Sequence, residues 1–387
     1  MPITTRSAAL LKSGRELAPL IRENSDYADL NGRLAPAVVD AFHEAGLWGM
    51  WVPEVLGGAE LDPLSVLDLT EQISYEDASA GWVLFTGAVG IAMPAIYLPE
   101  DGVEEIFGGD RMPVAAGQGT RSGTAQLTDG GYRLSGAWNF ASSAPYADYI
   151  LTLATVEQTG EPRLFIVPVH EVRLDQDSWD VIGLRGTGSF DYYIDDVFVP
   201  EHRTYPAAID GKPVRGGAAC KLGLVQTSMI GHTGWALGVG RRLLDELSAS
   251  MRDKAGRAGA QAGSDSLHEQ YAKAEARLRS AGALAREVWV DVWETLYSGE
   301  DLSRRQSSLV RLALNNATWS AFDVGSFVNV AAGSRPLRPG ALQRFYRDLH
   351  AGAAHIMSGP SVLRDVGREL AGLAGSERWF YVGLVDA

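Results

Sequence analysis

Cysteine is all but missing from this sequence: Cys220 stands alone among 387 residues. One thiol excludes an internal disulfide and any zinc site built on cysteine, and it suits a reducing cytoplasm. Positive charge is also short, with 34 Lys and Arg against 48 Asp and Glu, a net of −14. Without a basic excess there is nothing to neutralise phosphates, which argues against a nucleic-acid partner and an anionic membrane surface. The seven histidines are scattered. None forms a His-x-x-x-His pair, and no acidic loop has metal-ligand spacing, so no metal is expected. A dinucleotide fingerprint is missing too. Gly117-Gln118-Gly119 breaks the Gly-x-Gly-x-x-Gly pattern at Ser122. The chain therefore has no visible means of using NAD(P)H itself.

The N-terminus lacks the uninterrupted apolar core of a signal peptide, because Arg6, Lys12, Arg15 and Glu16 interrupt it. Charge is absent from Ala78 to Pro99, a run long enough to span a bilayer. Gly81, Gly87, Gly90 and Pro94 punctuate that run, and no flanking basic residues orient it. A buried helix of a soluble, cytoplasmic protein is the expectation.

What is present reads as an α+β chain in three parts. Residues 1–112 carry helical periodicity: Leu10, Leu11, Leu17, Leu20 and Ile21 form one stripe, and Val38, Val39, Phe42 and Ala45 another before Gly46. Pro63 opens a further helix. Residues 113–214 change character. Asp129-Gly130-Gly131 is a hairpin signal, and strand-like runs follow at Tyr149–Thr155, Leu164–Val169 and Phe190–Val199. These predict a compact antiparallel barrel or sandwich. Residues 215–387 return to helices, predicted over Ala218–Met251, Leu267–Tyr297, Leu302–Ala332 and Gly340–Ala371, as a four-helix bundle.

Three segments carry candidate chemistry. Gln343–His355 is an Arg-rich helical run leading into Ala and Gly with one late histidine, His355. A titratable ring among small apolar residues either handles a proton in a dry pocket or satisfies itself within a bundle. Gly136–Ser143 places Trp138, Phe140 and Ser142 at alternate positions of a strand, which puts an aromatic and a hydroxyl on one face. Such a face suits a flat ring system with a hydrogen-bonding nitrogen, or ordinary strand packing. Gly183–Ser189 contains three glycines that either admit a ligand to the backbone or make a tight turn at a domain face. The late cluster Trp379-Phe380-Tyr381 packs at a subunit interface or closes the last helix.

Together these residues resemble the acyl-CoA dehydrogenase fold. The resemblance rests on Gly46-Leu47-Trp48, Val52-Pro53, Gly57-Gly58, the Trp138–Ser142 strand, the Gly183–Ser189 loop, and Arg344 with Arg347-Asp348. It covers nearly the whole chain and implies a helix–β–helix division. Dehydrogenases of that fold need a glutamate base shortly after the Arg-Asp pair, but His355-Ile356-Met357-Ser358-Gly359 holds no carboxylate. The family's other glutamate location falls near Arg252-Asp253-Lys254, where Asp253 is a poor candidate. Arg347-Asp348-x-His350 followed by His355 instead resembles the oxygenase components of two-component flavin-dependent monooxygenases.

That resemblance implies reduced FMN or FAD delivered by a separate NAD(P)H:flavin reductase, with O2 as co-substrate. A flavin C4a-hydroperoxide would then hydroxylate or N-oxidise a small organic molecule. It implies that Ser142 supports the flavin ring and that His355 either holds the peroxide or accepts the substrate proton. Gln118, Trp138 and Phe140 match flavin-side positions, and Arg252 a flavin phosphate. Phenol-oxidising relatives often carry a polar residue in the long first-domain helix. Here Val89–Pro94 is apolar and either is core or lines the pocket; Trp82, Ala92 and Met93 are the expected pocket residues, and if the run lines the pocket a larger aromatic, polycyclic or indolic substrate is favoured. The family is usually tetrameric, so a homotetramer is expected. An acyl-CoA dehydrogenase-like oxidoreductase with a displaced base and a catalytically silent ligand-binding scaffold are the two alternatives.

Overall fold

In the computed structural model, residues 5–207, 212–254 and 264–386 are described. Six helices come first: α1 (Thr5–Glu23), α2 (Ser25–Asn31), α3 (Pro36–Glu44), α4 (Pro63–Glu76), α5 (Ala78–Tyr97) and α6 (Glu100–Phe107). Local chemistry starts two of them. Asp62 accepts from the Ser65 amide at 3.0 Å with Pro63 in the first turn, and Asp77 accepts from the Ala80 amide at 2.8 Å. Helix α5 is long and apolar enough to cross a membrane, yet 89% of that stretch is buried inside the fold. It is the central core helix. Gly90 lets it lie against the sheet, because a Cβ there would sit 2.2 Å from the Ala115 carbonyl oxygen.

The strands are β1 (Ala115–Thr128), β2 (Gly131–Ala141), β3 (Tyr149–Val156), β4 (Pro162–Pro168), β5 (Arg173–Asp175), β6 (Phe190–Pro200) and β7 (Thr204–Pro206). They form one sheet in the order β5-β6-β2-β1-β3-β4-β7. The β1–β2 hairpin turns at Gly130, whose φ is 74°. One pairing departs from the all-antiparallel expectation: β1 and β3 run parallel, so the sheet is mixed. The hairpin sends β2 to one side of β1 and leaves the other side for β3 to return along. Tyr132, Leu134, Trp138, Phe165 and Tyr192 fill a core belonging to the sheet alone.

Three long helices follow, α7 (Gly223–Lys254), α8 (Asp265–Tyr297) and α9 (Arg304–Ala331). Ser303 and Gln306 close a capping box at the start of α9. The expected single fourth helix is broken instead into α10 (Ala341–Ala353) and α11 (Pro360–Leu370). The break is at His355, whose backbone is extended (φ −63°, ψ 140°) and whose ring caps the short turn Ile356–Ser358. Pro360 cannot donate to a continuing helix and restrains Gly359 before it. Strands β8 (Arg378–Phe380) and β9 (Gly383–Val385) end the described chain. There Trp379 folds back on the bundle, with its Nε1 donating to Ser308 at 2.8 Å and Arg311 over its ring at 4.1 Å.

Candidate active site

The Arg-rich segment on α10 works as a joint between the three parts. Arg344 donates to Ser25 at 2.7 Å and contacts Asp26, tying α10 to α2. Arg347 donates to Asp29 at 2.6 Å and to the Ile182 carbonyl at 2.6 Å. Asp348 accepts from the Leu184 amide at 2.6 Å. Gly183 allows this approach, since a Cβ there would stand 2.1 Å from the Arg347 carbonyl oxygen. The glycines of this loop thus serve a domain face. Burial, and then Asp77, push the Asp348 carboxyl up to about 8, against the Leu184 amide and Arg347.

Beyond that joint, the chain brings together Trp82 of α5, Ser142 just past β2, the loop residues Thr187 and Ser189, and His355. Trp82 Nε1 lies 3.1 Å from Ser142 Oγ. Ser142 Oγ lies 2.7 Å from Ser189 Oγ, and Ser189 Oγ lies 2.7 Å from Thr187 Oγ1. Thr187 Oγ1 then donates to the Leu184 carbonyl at 2.8 Å. Thr187 and Ser189 are buried, while Ser142 is half-buried. A second knot pins the adjoining turn: Ser143 Oγ donates to the Val83 carbonyl at 3.0 Å and lies 3.0 Å from Thr86 Oγ1. Left-handed backbone is concentrated here, at Phe140 (φ 66°), Ser143 (φ 75°) and Leu184 (φ 54°). Side chains rarely adopt it, and it persists where surrounding contacts over-determine the chain.

Facing the hydroxyls is a cage of rings. The Trp82 centroid is 5.6 Å from His355, 5.1 Å from His232 and 5.1 Å from Trp235, all edge to face. The two histidine rings are 5.2 Å apart. Part of the His355 residue is exposed, but desolvation of its ring lowers its pKa to about 4. His355 Nδ1 accepts from the Met357 amide at 3.4 Å, which favours the tautomer with its proton on Nε2. His232 is buried, and neither ring nitrogen makes a hydrogen bond among the described residues. Burial, then His355, holds it well below the usual histidine value, against the nearby Gly352 carbonyl. Both rings are neutral near pH 7.

The expected site residues divide. Trp82, Ser142 and His355 converge. Trp138 does not join them: it is 1% exposed in the sheet core, stacked on Tyr192 at 5.2 Å, with Nε1 facing the Arg121 and Leu153 carbonyls. The alternation that was to align it with Phe140 and Ser142 fails, because the β2–β6 register shifts between Trp138 and Ala141. Phe140 is consequently turned out, 65% exposed and edge-on to Trp179 at 6.1 Å. Gln118 is half-buried and folds onto its own loop, its Oε1 accepting from the Thr120 and Arg121 amides.

Ala92 is fully buried core. Met93 opens onto a separate cavity of about 50 Å³, with Tyr97, Tyr205 and Tyr381. Eleven residues along a helix, it lies roughly 16 Å from Trp82. Arg252 is exposed near the end of α7, donating to Ser248 at 2.6 Å.

Sequence reasoning missed His232, Trp235, Thr187 and Ser189. The single histidine within Met229-Ile230-Gly231-His232-Thr233-Gly234-Trp235 was the available signal for the first two. The hydroxyls sat inside a loop read for its glycines.

A reduced flavin fits the donor set on the hydroxyl side. An indole N–H only donates and a carbonyl only accepts, so Ser142 retains an accepting lone pair toward the open side, where the ring of a reduced flavin carries an N–H.

Comparisons with known proteins agree on the kind of molecule. Residues 12–99 match the family model "Acyl-CoA dehydrogenase, N-terminal domain", and residues 230–360 match "Acyl-CoA dehydrogenase, C-terminal domain". The indole-3-acetate monooxygenase of Pseudomonas putida is 30% identical over 93% of this chain and 94% of its own. The flavin-dependent monooxygenase oxygenase subunit HsaA of Rhodococcus jostii (strain RHA1) is 26% identical over 89% and 93%. Among solved structures, 3-HSA hydroxylase from Rhodococcus sp. RHA1 superposes with a TM-score of 0.88 at 25% identity, covering 94% of this chain and 97% of that one.

Proposed function

The chain belongs to the acyl-CoA dehydrogenase family, among the oxygenase components of flavin-dependent monooxygenases, and we propose that it oxygenates a neutral aromatic substrate where Trp82, Ser142, His232 and His355 meet. The observation that carries this reading is the convergence of a hydroxyl aimed by α5 and a neutral histidine at a helix break, where residues 355–359 hold no carboxylate. Reduced flavin, drawn from a separate reductase, supplies the two electrons with which one atom of O2 enters the substrate and the other leaves as water.

The residues of the chain do the rest. Ser142 holds the flavin ring by accepting at its N–H. His355, with its proton on Nε2, donates toward the oxygen being transferred. Trp82 gives an apolar wall for an aromatic ring and excludes water, backed edge-on by the fully buried Trp235. His232 backs the His355 ring from the buried side, edge-on at 5.2 Å. Among the described residues no arginine stands over the Trp82 or Trp235 ring, which favours a neutral substrate over a carboxylate. Phe140 at the mouth, Gln118 and Arg252 are proposed flavin contacts, Arg252 at a phosphate. Met93 is proposed as a pocket residue on the separate tyrosine-lined cavity that it opens onto. The division at residues 112 and 214, a homotetramer and a cytoplasmic setting belong to the same proposal.

Anaerobic protein loaded with reduced FMN or FAD and mixed with oxygenated buffer tests it. A delay of seconds or more before oxidised-flavin absorbance appears is expected. Oxidation as fast as without protein would sink the monooxygenase reading and return weight to acyl-CoA substrates or to a silent scaffold.

A further inference from the structure

We propose that Thr187 and Ser189 are positioning residues that make this site select reduced over oxidised flavin, by committing the Ser142 proton and leaving that hydroxyl an acceptor. The inference rests on the placement of flavin at Ser142 proposed above, and it assigns a role to two buried side chains that act through Ser142.

The argument is one of hydrogen-bond direction. The row of groups runs Trp82 Nε1, Ser142 Oγ, Ser189 Oγ, Thr187 Oγ1, Leu184 carbonyl oxygen, with separations of 3.1, 2.7, 2.7 and 2.8 Å. Hydroxyl protons are free to rotate, and each middle pair taken alone is ambiguous. The two ends remove the ambiguity. Indole nitrogen has a proton and no available lone pair, so Trp82 donates to Ser142. A carbonyl oxygen has no proton, so Thr187 donates to Leu184. With its proton spent there, Thr187 accepts from Ser189, and Ser189 accepts from Ser142. All four bonds point the same way, and such chains strengthen each member.

Ser142 is left with one lone pair and no proton to offer. Reduced flavin presents an N–H at its N5 position, which Ser142 accepts. Oxidised flavin presents a bare lone pair at the same nitrogen. To meet it, Ser142 would have to withdraw its proton from Ser189 and break the row, leaving buried Ser189 unsatisfied on one side. Backbone bonds hold the row in place independently: the Leu184 carbonyl also accepts from the Thr187 amide at 3.1 Å, and Asp348 holds the Leu184 amide. Removing the Thr187 hydroxyl therefore changes direction more than shape.

The test is the ratio of dissociation constants for oxidised and reduced flavin, measured by anaerobic titration with FMN and with FAD. The wild type is expected to prefer the reduced form by tenfold or more. Ser189→Ala frees the Ser142 proton, and Thr187→Val lets Ser189 reverse and donate to Ser142. Each should lower the preference about tenfold, which for a two-electron couple is a shift of about 30 mV in the bound potential. Thr187→Ser keeps the hydroxyl and should restore the wild-type ratio. A merely structural role would weaken both forms alike and leave the ratio unmoved.

An unmoved ratio in both Ser189→Ala and Thr187→Val overturns the inference while leaving the flavin reading standing. A wild type that binds oxidised flavin as tightly as reduced does the same. Failure of the wild type to bind either flavin in either state overturns the placement of flavin, and this inference with it.

Discussion

The two sides of the site differ in how their polar groups are treated. On the sheet side, Ser142, Ser143, Thr187, Ser189 and Thr86 each make at least two hydrogen bonds, anchored to backbone carbonyls or to the Trp82 indole. On the bundle side, His355 has one long bond to the Met357 amide and, among the described residues, His232 has only the nearby Gly352 carbonyl, short of a well-formed hydrogen bond. Satisfied groups in a low-dielectric interior are stiff, while an unsatisfied buried group costs roughly 1–3 kcal/mol until something pairs with it. The contrast separates a surface made to hold a cofactor in one pose from a surface whose partners arrive with the reaction. It also accounts for the backbone, since the left-handed residues Phe140, Ser143 and Leu184 belong to the stiff side.

The largest expected effect comes from emptying the unsatisfied side. His355→Ala should cut product formed per flavin oxidised by about 10²- to 10⁴-fold, the range for a positioned proton-handling group. Product and peroxide counted together in single-turnover reactions would check it, and a variant within twofold of wild type would erase the contrast. Next is Ser142→Ala, which strands the Trp82 N–H and removes the acceptor facing flavin. A loss of about 1–3 kcal/mol is expected, roughly five- to 150-fold in the lifetime of the delay after oxygen mixing. Equal losses in both variants would mean that the two sides act as one unit.

Smaller effects appear in stability against pH. Desolvation takes His355 from 6.5 to about 4, so the unfolded chain binds its proton first. Its contribution is complete above pH 6.5 and disappears as pH falls toward 4, with His232 adding in the same direction. In an Asp348→Asn background, which removes the opposing carboxyl, denaturant midpoints at pH 7.5, 5.5 and 4.5 should fall in that order, and less steeply when His232→Phe is added. Asp348 has the opposite sign. Its carboxyl is raised from 3.8 to about 8, so the stability tied to its proton is full below 3.8 and lost as pH rises through 8. Asp348→Asn, which still accepts from the Leu184 amide, should flatten the decline between pH 6.5 and 8. A decline as steep as wild type would place the alkaline weakness elsewhere.

Much of the architecture was legible. Helical stripes before residue 112 and the hairpin at Asp129-Gly130-Gly131 appear where periodicity and turn chemistry put them. The family could be read from motif order, and the loss of the carboxylate at His355 pointed to oxygenation. Trp138 was misplaced because strict alternation was assumed across a strand that carries a register shift. The fourth bundle helix was read as continuous because Ala351–His355 has helical composition, and a side-chain cap by His355 leaves no mark in periodicity. His232 escaped because a lone histidine in an apolar run is ordinarily core.

The sequence by itself determined the classes of element, their order, the absence of a nucleotide-binding motif, and which residue types were available for chemistry. These are local properties, set within a few residues by spacing and turn preference. Only the tertiary structure decided what those residues can do. Trp82, Ser142, Thr187–Ser189 and His355 come from four separate stretches of chain, and the direction of every proton between Trp82 and Leu184 follows from which groups stand at the ends of the row. A hydroxyl has no fixed polarity of its own. It takes one from its neighbours, and the neighbours are chosen by the fold.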